Sequence, residues 1–312
     1  MAVAAVTFDV ACPHCGSRDE YPAPDPREHT CGHWSVLVPG VWPDLPEAAY
    51  HSDPVPGGSL SSTGARKLLP PSCPAKFAVW RAEPPDPTKT MELGTAAHRL
   101  ALGTGQELVE VKAENWRTKA ANEAADAARA AGAVPLLTKD LERVRAMRDA
   151  LMAHPLASAA LDPGRGRPEQ SIFAHDADSG VWLRVRLDWM PDPDSPRRPV
   201  LMDYKTTVSA EPDQFARHAY DLGYHVQGAM YADVFEQVTG TEAALGFIVQ
   251  EKVPPYLVSV CFPDEDMQAT GRAAYRAAVR TYAECTAAGE WPGYPIDVSY
   301  ISLPPWARRS YE

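Results

Sequence analysis

From Val181 the chain alternates at every second position. Val181, Leu183, Val185, Leu187 and Trp189 form one series, and Trp182, Arg184, Arg186, Asp188 and Met190 stand between them. A period of two puts the first series on one face of a β-strand and the second on the other. Pro191-Asp192-Pro193-Asp194-Ser195-Pro196 reads as a turn, and a returning strand follows over 199–207. Elsewhere the period is nearer 3.6. Ser59 to Ser62 supply a helix N-cap for residues 64–69, which Pro70-Pro71 stop. Further helices are predicted over 91–102, over the Ala-rich stretch 116–131 that ends at Gly132, and over 139–153. Glu169 opens a strand ahead of the hairpin. Downstream come helical stretches across 212–238, strands at 245–250 and 256–262, and a helix over 264–288. Helices, hairpin, helix, strands, helix is the order of an α/β fold with a mixed sheet, and not of a doubly wound βαβ run.

Composition changes this picture little. Of 312 residues, 45% are hydrophobic and 23% charged, enough to bury a core and to exclude wholesale disorder. No apolar run nears the roughly 18 residues that span a bilayer, and the first residues carry Asp9 and no basic cluster. We therefore expect a cytoplasmic chain with no membrane partner. The net charge of −11 argues against a general nucleic-acid coat. It leaves room for a local basic groove, and carboxylates gathered in a metal site would themselves push the count negative.

Charge and cysteine separate one end of the chain. Residues 1–48 hold seven acidic residues against Arg18 and Arg27, a net −5, with short β-like pieces at 3–10 and 34–38. Pro39, Pro43 and Pro46 punctuate the boundary as a linker would. We read 1–48 as a small module and 49–312 as the main domain. Three of the six cysteines crowd into the module, a pattern that in a reducing compartment suggests metal and not disulfides. Cys12-Pro-His-Cys15 resembles a zinc knuckle, and Cys31 and His33 supply the other two ligands, with His29 a rival for the fourth. Three thiolates with one imidazole in a tetrahedral array suit structural Zn²⁺.

The chemistry gathers at the hairpin. Asp203 and Lys205, at i and i+2 of one strand, point the same way. Pairing across the Pro-rich turn brings Asp188 beside Asp203. Two carboxylates and a lysine are what a Mg²⁺ or Mn²⁺ site for phosphodiester hydrolysis needs: oxygen ligands for a hard cation and a cationic group for the water or the developing oxyanion. On the helix upstream, Gly94, Ala97, His98 and Ala101 share a face; three are small, so the helix approaches the sheet closely while His98 projects inward. Tyr220, Tyr224, Gln227 and Tyr231 make one helical stripe, read mainly as packing for the first two. Arg184 and Arg186 share the Asp188 face, where they either contact DNA phosphate or balance the carboxylates.

Asp188, then Asp203-Tyr204-Lys205, resembles the core of the PD-(D/E)XK nucleases. With His98, Glu169 and Gln227-x3-Tyr231 in this order, the set is similar to the RecB-type branch, and most of all to the phage exodeoxyribonuclease VIII (RecE)-like group. The stretches 59–69, Ser72 to Phe77, Gln250-Glu251-Lys252-x-Pro254-Pro255-Tyr256 and Trp291-Pro292-Gly293-Tyr294 resemble that group too. The resemblance covers about residues 50–310. It implies a restriction-endonuclease-like mixed sheet flanked by helices, with the cysteine module as a zinc-ribbon-like addition. It implies that His98, Asp188, Asp203 and the Tyr204 backbone carbonyl bind the metal, that Lys205 is the catalytic lysine, that Glu169 and Gln227 complete the site, and that Tyr231 positions DNA or the helix. The activity it implies is a metal-dependent DNA exonuclease of phage recombination or DNA processing, acting at linear duplex ends. A single-strand annealing recombinase and a second copy of the chain are further candidate partners. The rival readings are a structure-specific endonuclease of the same superfamily and a non-catalytic DNA- or partner-binding module. Some RecB-type relatives carry a four-cysteine iron–sulfur cluster. Here only Cys261 and Cys285 lie downstream of Cys73, too few for four thiolates, so the cluster is rejected.

If the cysteine module is a closed site, the protein purified without chelator holds about one Zn²⁺ per chain. Elemental analysis checks this, and that zinc should persist when the hairpin carboxylates are mutated.

Overall fold

The structure, a computed structural model, describes residues 36, 38–43, 45–84, 89–192 and 198–303, and upstream of them two paired strands, β1 (Thr7–Ala11) and β2 (Arg18–Pro22). Cys12, Cys15, Cys31, His33 and the rival His29 lie outside the described residues. The main body runs β3 (Gly40–Trp42), α1 (Glu47–His51), β4 (Leu60–Ser61), α2 (Ser62–Leu68), α3 (Pro74–Ala82), α4 (Lys89–Leu102), β5 (Leu108–Val111), α5 (Lys119–Ala130), β6 (Val134–Leu137), α6 (Thr138–Ala153) and α7 (Pro155–Ala160). It continues through β7 (Gly166–His175), β8 (Trp182–Pro191), β9 (Val200–Thr207), α8 (Pro212–Asp221), α9 (Tyr224–Thr239), β10 (Ala244–Glu251), β11 (Val258–Cys261) and α10 (Glu265–Ala288).

One central sheet organises these elements, in the order β11-β10-β9-β8-β7-β3, with β4 beside β8. The pairs β3/β7, β7/β8, β8/β9 and β10/β11 are antiparallel, while β9/β10 and β4/β8 are parallel. The mixed sheet expected from the element order is therefore present. A parallel pair needs a crossover, and α8 with α9 provides it. β5 and β6 form a separate parallel pair bridged by α5. Among the described residues no helix is long and apolar enough to cross a membrane.

Two cores sandwich the sheet. Leu201 of β9 and Phe247 and Val249 of β10 pack with α2, α9 and α10 residues such as Ala65, Met230, Tyr275 and Val279. The alternate residues Met202, Tyr204 and Ile248 pack on the opposite face with Ala97 and Ala101 of α4 and Val144 and Met147 of α6. A third cluster joins Trp42, Leu45 and Tyr50 to Phe173 of β7. Residues 40–42 of the expected module thus hydrogen-bond to β7 and bury Trp42 against the sheet, so that strand belongs physically to the main body.

Local sequence accounts for the element ends. The Ser61 side chain accepts a hydrogen bond from Gly64 N at 3.1 Å, capping α2; Ser59 instead binds Asp53. Thr118 caps α5, three residues inside the expected start, and Gly132 turns the chain at φ +74°. The helical stretch expected across 212–238 is two helices, because Gly223 takes φ +69° between them. A Cβ there would also lie 2.4 Å from Arg66 Cδ. The stripe from Tyr220 to Tyr231 is broken by the same residue: Tyr220 ends up exposed and stacked on His225. The elements α3, β3, β5, β6 and α7 have no counterpart in the periodicity reading; most are short, and an apolar run of four residues has no period to detect.

Alternation in β8 also departs from expectation at its end. Leu183, Val185 and Leu187 pack in the first core, but Trp189 packs in the second, on the other face. The change of face falls at Asp188. On the neighbouring strand Glu169 has φ +55°, a left-handed conformation rare for a residue with a Cβ.

Ile248 is fully buried between β9 and α6. Ile248→Ala should lower unfolding stability by about 2–5 kcal/mol, whereas Val208→Ala, at an exposed position, should stay within about 0.5 kcal/mol. Urea unfolding followed by circular dichroism measures both.

Candidate active site

Asp188 lies at the centre of three strands. Trp189 pairs with Met202 in antiparallel register, so Asp188 and Asp203 come next and face one another. On the other side, Pro168 pairs with Trp189 and Gln170 with Leu187, which sets Glu169 beside Asp188. The expected juxtaposition of Asp188 and Asp203 is thus made by the register of β8 against β9.

Each carboxylate has dedicated donors. Asp188 Oδ2 accepts the Tyr204 backbone N–H at 2.8 Å and stands 3.5 Å from His98 Nδ1. Asp203 Oδ1 accepts from Gln227 Nε2 at 2.7 Å, and its Oδ2 lies 2.7 Å from Lys205 Nζ. Glu169 Oε2 accepts from Arg186 Nε at 2.6 Å. Lys205 Nζ in turn sits 4.7 Å from the centre of the Tyr224 ring, a cation–π contact that adds to the role sequence gave this tyrosine.

Tyr204 ties these parts together. Its N–H holds Asp188, its ring meets the His98 ring edge-on at 5.0 Å, and its hydroxyl donates to Gln250 Oε1. Gln250 Nε2 donates to Met147 O at 2.8 Å, which anchors the strand to α6. Gln250 stood in a stretch matched only by resemblance; its buried amide is the sort of polar group that needs such partners. The small face of α4 does what its spacing suggested: Ala97 and Ala101 are buried, a Cβ on Gly94 would sit 3.7 Å from Thr206 Oγ1, and His98 reaches Asp188.

The electrostatics describe a site short of positive charge. Burial, then the neighbouring Asp203, push the Asp188 carboxyl well above the usual carboxylate range. Burial also raises Glu169, against the pull of Arg186. Burial opposes the charge on Lys205, yet Asp203 and Asp188 outweigh it and hold the ammonium above its ordinary range. A lysine so firmly protonated suits orientation of a water and stabilisation of an oxyanion better than proton abstraction. Burial, then Lys205, push His98 down to about 3, which leaves a neutral imidazole free to ligate. Burial raises Tyr231 well above the phenol range; it is a buried wall residue of the cleft.

One ligand atom each from His98, Glu169 and Asp188 lie within 4.8 Å of one another. An imidazole nitrogen with carboxylate oxygens, crowded enough to raise a carboxyl, is a donor set that fits a divalent cation such as Mg²⁺ or Mn²⁺. Asp203 stands on the far side of Asp188 from Glu169, held by Gln227 and Lys205. Arg184 and Arg186 are both committed internally. Arg184 pairs with Asp53 and donates to Ser59 Oγ at 2.8 Å; Arg186 holds Glu169, Ser171 Oγ and Leu45 O. Of the two sequence readings for these arginines, the geometry displays charge balance. A cleft of about 1210 Å³ opens over His98, Glu169, Asp188 and Tyr231. Its opposite wall, from Asp53 to Arg81, contains residues that periodicity could not mark.

Residues 61–304 match the family described as a PDDEXK-like domain of unknown function (DUF3799). The fold resembles that of a protein named "Putative exonuclease" from Eubacterium rectale, with a TM-score of 0.56 and 11% identity over 84% of this chain and 94% of that one. An alkaline exonuclease (LHK-Exo) from Laribacter hongkongensis also matches, at a TM-score of 0.24 and 15% identity over 64% of this chain and 95% of that one, a likeness too low to bear on the fold. No curated protein matches the chain.

If His98, Glu169 and Asp188 hold a cation, Mn²⁺ at 100 times its own Kd should add about 2.7 kcal/mol of stability. Thermal unfolding with and without Mn²⁺ reads this directly, and Asp188→Asn should lose the shift.

Proposed function

The chain belongs to the PDDEXK-like family, and from that premise we propose that it is a metal-dependent deoxyribonuclease that digests linear DNA from its ends. The observation that carries the reading is the convergence of Asp188, Asp203, Lys205 and His98 from three elements, with His98 and Asp188 lining one cleft. A module that only bound DNA would gain nothing from burying carboxylates where phosphate must sit. The name of the E. rectale protein, "Putative exonuclease", on a similar fold, supports action at ends over internal cuts. The resemblance to the exodeoxyribonuclease VIII-like group extends the proposal to phage recombination, with a single-strand annealing recombinase as companion.

His98, Glu169 and Asp188, with Asp203 and the Tyr204 carbonyl beside them, would hold the metal. A divalent cation there would polarise the phosphoryl oxygens and lower the pKa of a bound water. The chain's own residues do the rest. Lys205, fixed by Asp203 and the Tyr224 ring, directs its ammonium toward the attacking water and the charge that builds on phosphate. Gln227 holds Asp203 from behind and keeps the Asp203–Lys205 pair in one geometry. Arg186 fixes Glu169 in its left-handed backbone position.

Asp188→Asn should reduce hydrolysis of end-labelled linear duplex in Mg²⁺ by at least about 10²-fold while leaving the fold intact. Lys205→Ala should stop cleavage and keep DNA binding. Full activity in purified Asp188→Asn would sink the site assignment. Equal digestion of circular and linear DNA would turn the reading to an endonuclease.

A further inference from the structure

Four arginines line the cleft among the described residues, and they fall into two kinds. Arg184 and Arg186 are already neutralised by Asp53 and Glu169. Arg81 and Arg99 are held by neutral oxygens. Arg81 Nη1 donates to the Tyr282 hydroxyl at 2.9 Å, and its guanidinium lies 5.7 Å from the centre of that ring. Arg99 Nη1 donates to the Gly103 backbone carbonyl. Among the described residues neither has a carboxylate within ion-pair distance, although each has several N–H donors left.

Both side chains are also seated. A Cβ on Gly58 would come 1.8 Å from Arg81 Nη2, which places the guanidinium tip against this loop and beside the Tyr282 ring. Gly58 has φ +90°, a conformation that favours glycine. Arg99 runs along Gly105, whose added Cβ would meet its Cδ at 3.6 Å; Gly105 has φ +117°. Two glycine loops therefore lie beside the two uncompensated arginines. Holding a cation with neutral partners in a fixed place, next to carboxylates that need a metal, leaves the charge available to something that enters the cleft.

We propose that Arg81 and Arg99 are the residues that contact the phosphates of the strand in the cleft, the role that sequence had offered to Arg184 and Arg186. This rests on the nuclease reading above and gives its substrate groove a chemical definition. The chain carries a net charge of −11, so its overall field repels a polyanion. Attraction has to come from local cations that are not already matched. A guanidinium fork suits phosphate oxygens, and a fork pre-placed on an aromatic ring loses little freedom when it binds. Tyr282 acts through Arg81 and is a positioning residue.

The test uses the full chain, a fluorescein-labelled single strand and a labelled duplex, in EDTA so that no hydrolysis intervenes. Affinity is measured against salt. Each phosphate contact adds about 0.7 to the slope of log affinity against log salt for a single strand and about 0.9 for a duplex. Arg81→Gln and Arg99→Gln should each lower the slope by about that amount and weaken binding about tenfold at low salt, on every sequence alike. Arg81→Lys should restore the slope, because it keeps the charge. Tyr282→Phe should weaken binding with the slope unchanged. Arg184→Gln should lower the thermal midpoint and leave the slope as it was. Unchanged slopes in both Arg81→Gln and Arg99→Gln, in a wild type that binds and cleaves DNA, would overturn the assignment alone. A wild type that neither binds nor cleaves DNA would overturn the nuclease reading with it.

Discussion

Two carboxylates that face one another across a strand pair, Asp203 buried and Asp188 half-buried at the cleft, set the terms for the whole site. Unit charges about 4 Å apart in a partly screened interior repel by roughly 4 kcal/mol. The structure answers this repulsion piece by piece. A backbone N–H and a histidine attend Asp188, while an amide and an ammonium attend Asp203. What remains unanswered is visible in the Asp188 carboxyl, which burial and Asp203 still hold well above its ordinary range. The donor set left by this crowding, His98 with Glu169 and Asp188, fits a divalent cation. The departures of the sheet from regularity collect at the same place: the change of face in β8 at Asp188, and the left-handed Glu169 on the strand beside it. Strain held by two packed cores is a common accompaniment of chemistry.

Much of this was legible in the sequence. The period-two run from Val181 and the Pro-rich turn defined the hairpin, and the hairpin defined the pairing of Asp188 with Asp203. The spacing of Gly94, Ala97, His98 and Ala101 defined which face of α4 meets the sheet. Residues without such periodic neighbours were silent. Arg81 and Arg99 look like any surface arginine, because their roles depend on Gly58, Gly105 and Tyr282, the last of them 201 residues from Arg81. Gln250 owes its role to Tyr204 and Met147, far apart in the chain. Pattern reasoning also carried two runs too far. It extended the β8 alternation through Trp189, where the strand changes face, and extended one helical stripe through Gly223, where the helix ends. In both places a local regularity gives way to the demands of the site or its supporting helix.

The arginines show how context outranks position. Arg184 and Arg186 sit on the same strand as Asp188 and, by residue type alone, are the natural partners for phosphate. In the structure both are paired, Arg184 with Asp53 and Arg186 with Glu169. Arg184 lies under Tyr50 with Arg186, and the two guanidinium groups stack near one ring at 5.6 and 5.8 Å from its centre. That cluster joins the first turns of the domain to the sheet, and so fixes the wall of the cleft opposite α4.

The parallel pairing of β9 with β10 has a consequence for the life of the chain. Asp203 and Lys205 cannot take their final places until the crossover through α9 delivers Gln227 and β10 closes beside them. α9 in turn packs on α10, where Ala278 and Val279 are buried against the same core, so the carboxylates rest on elements that follow β9 in the chain. A ribosome-bound fragment that ends within β9 holds His98, Glu169 and Asp188 but lacks the scaffold that aligns them.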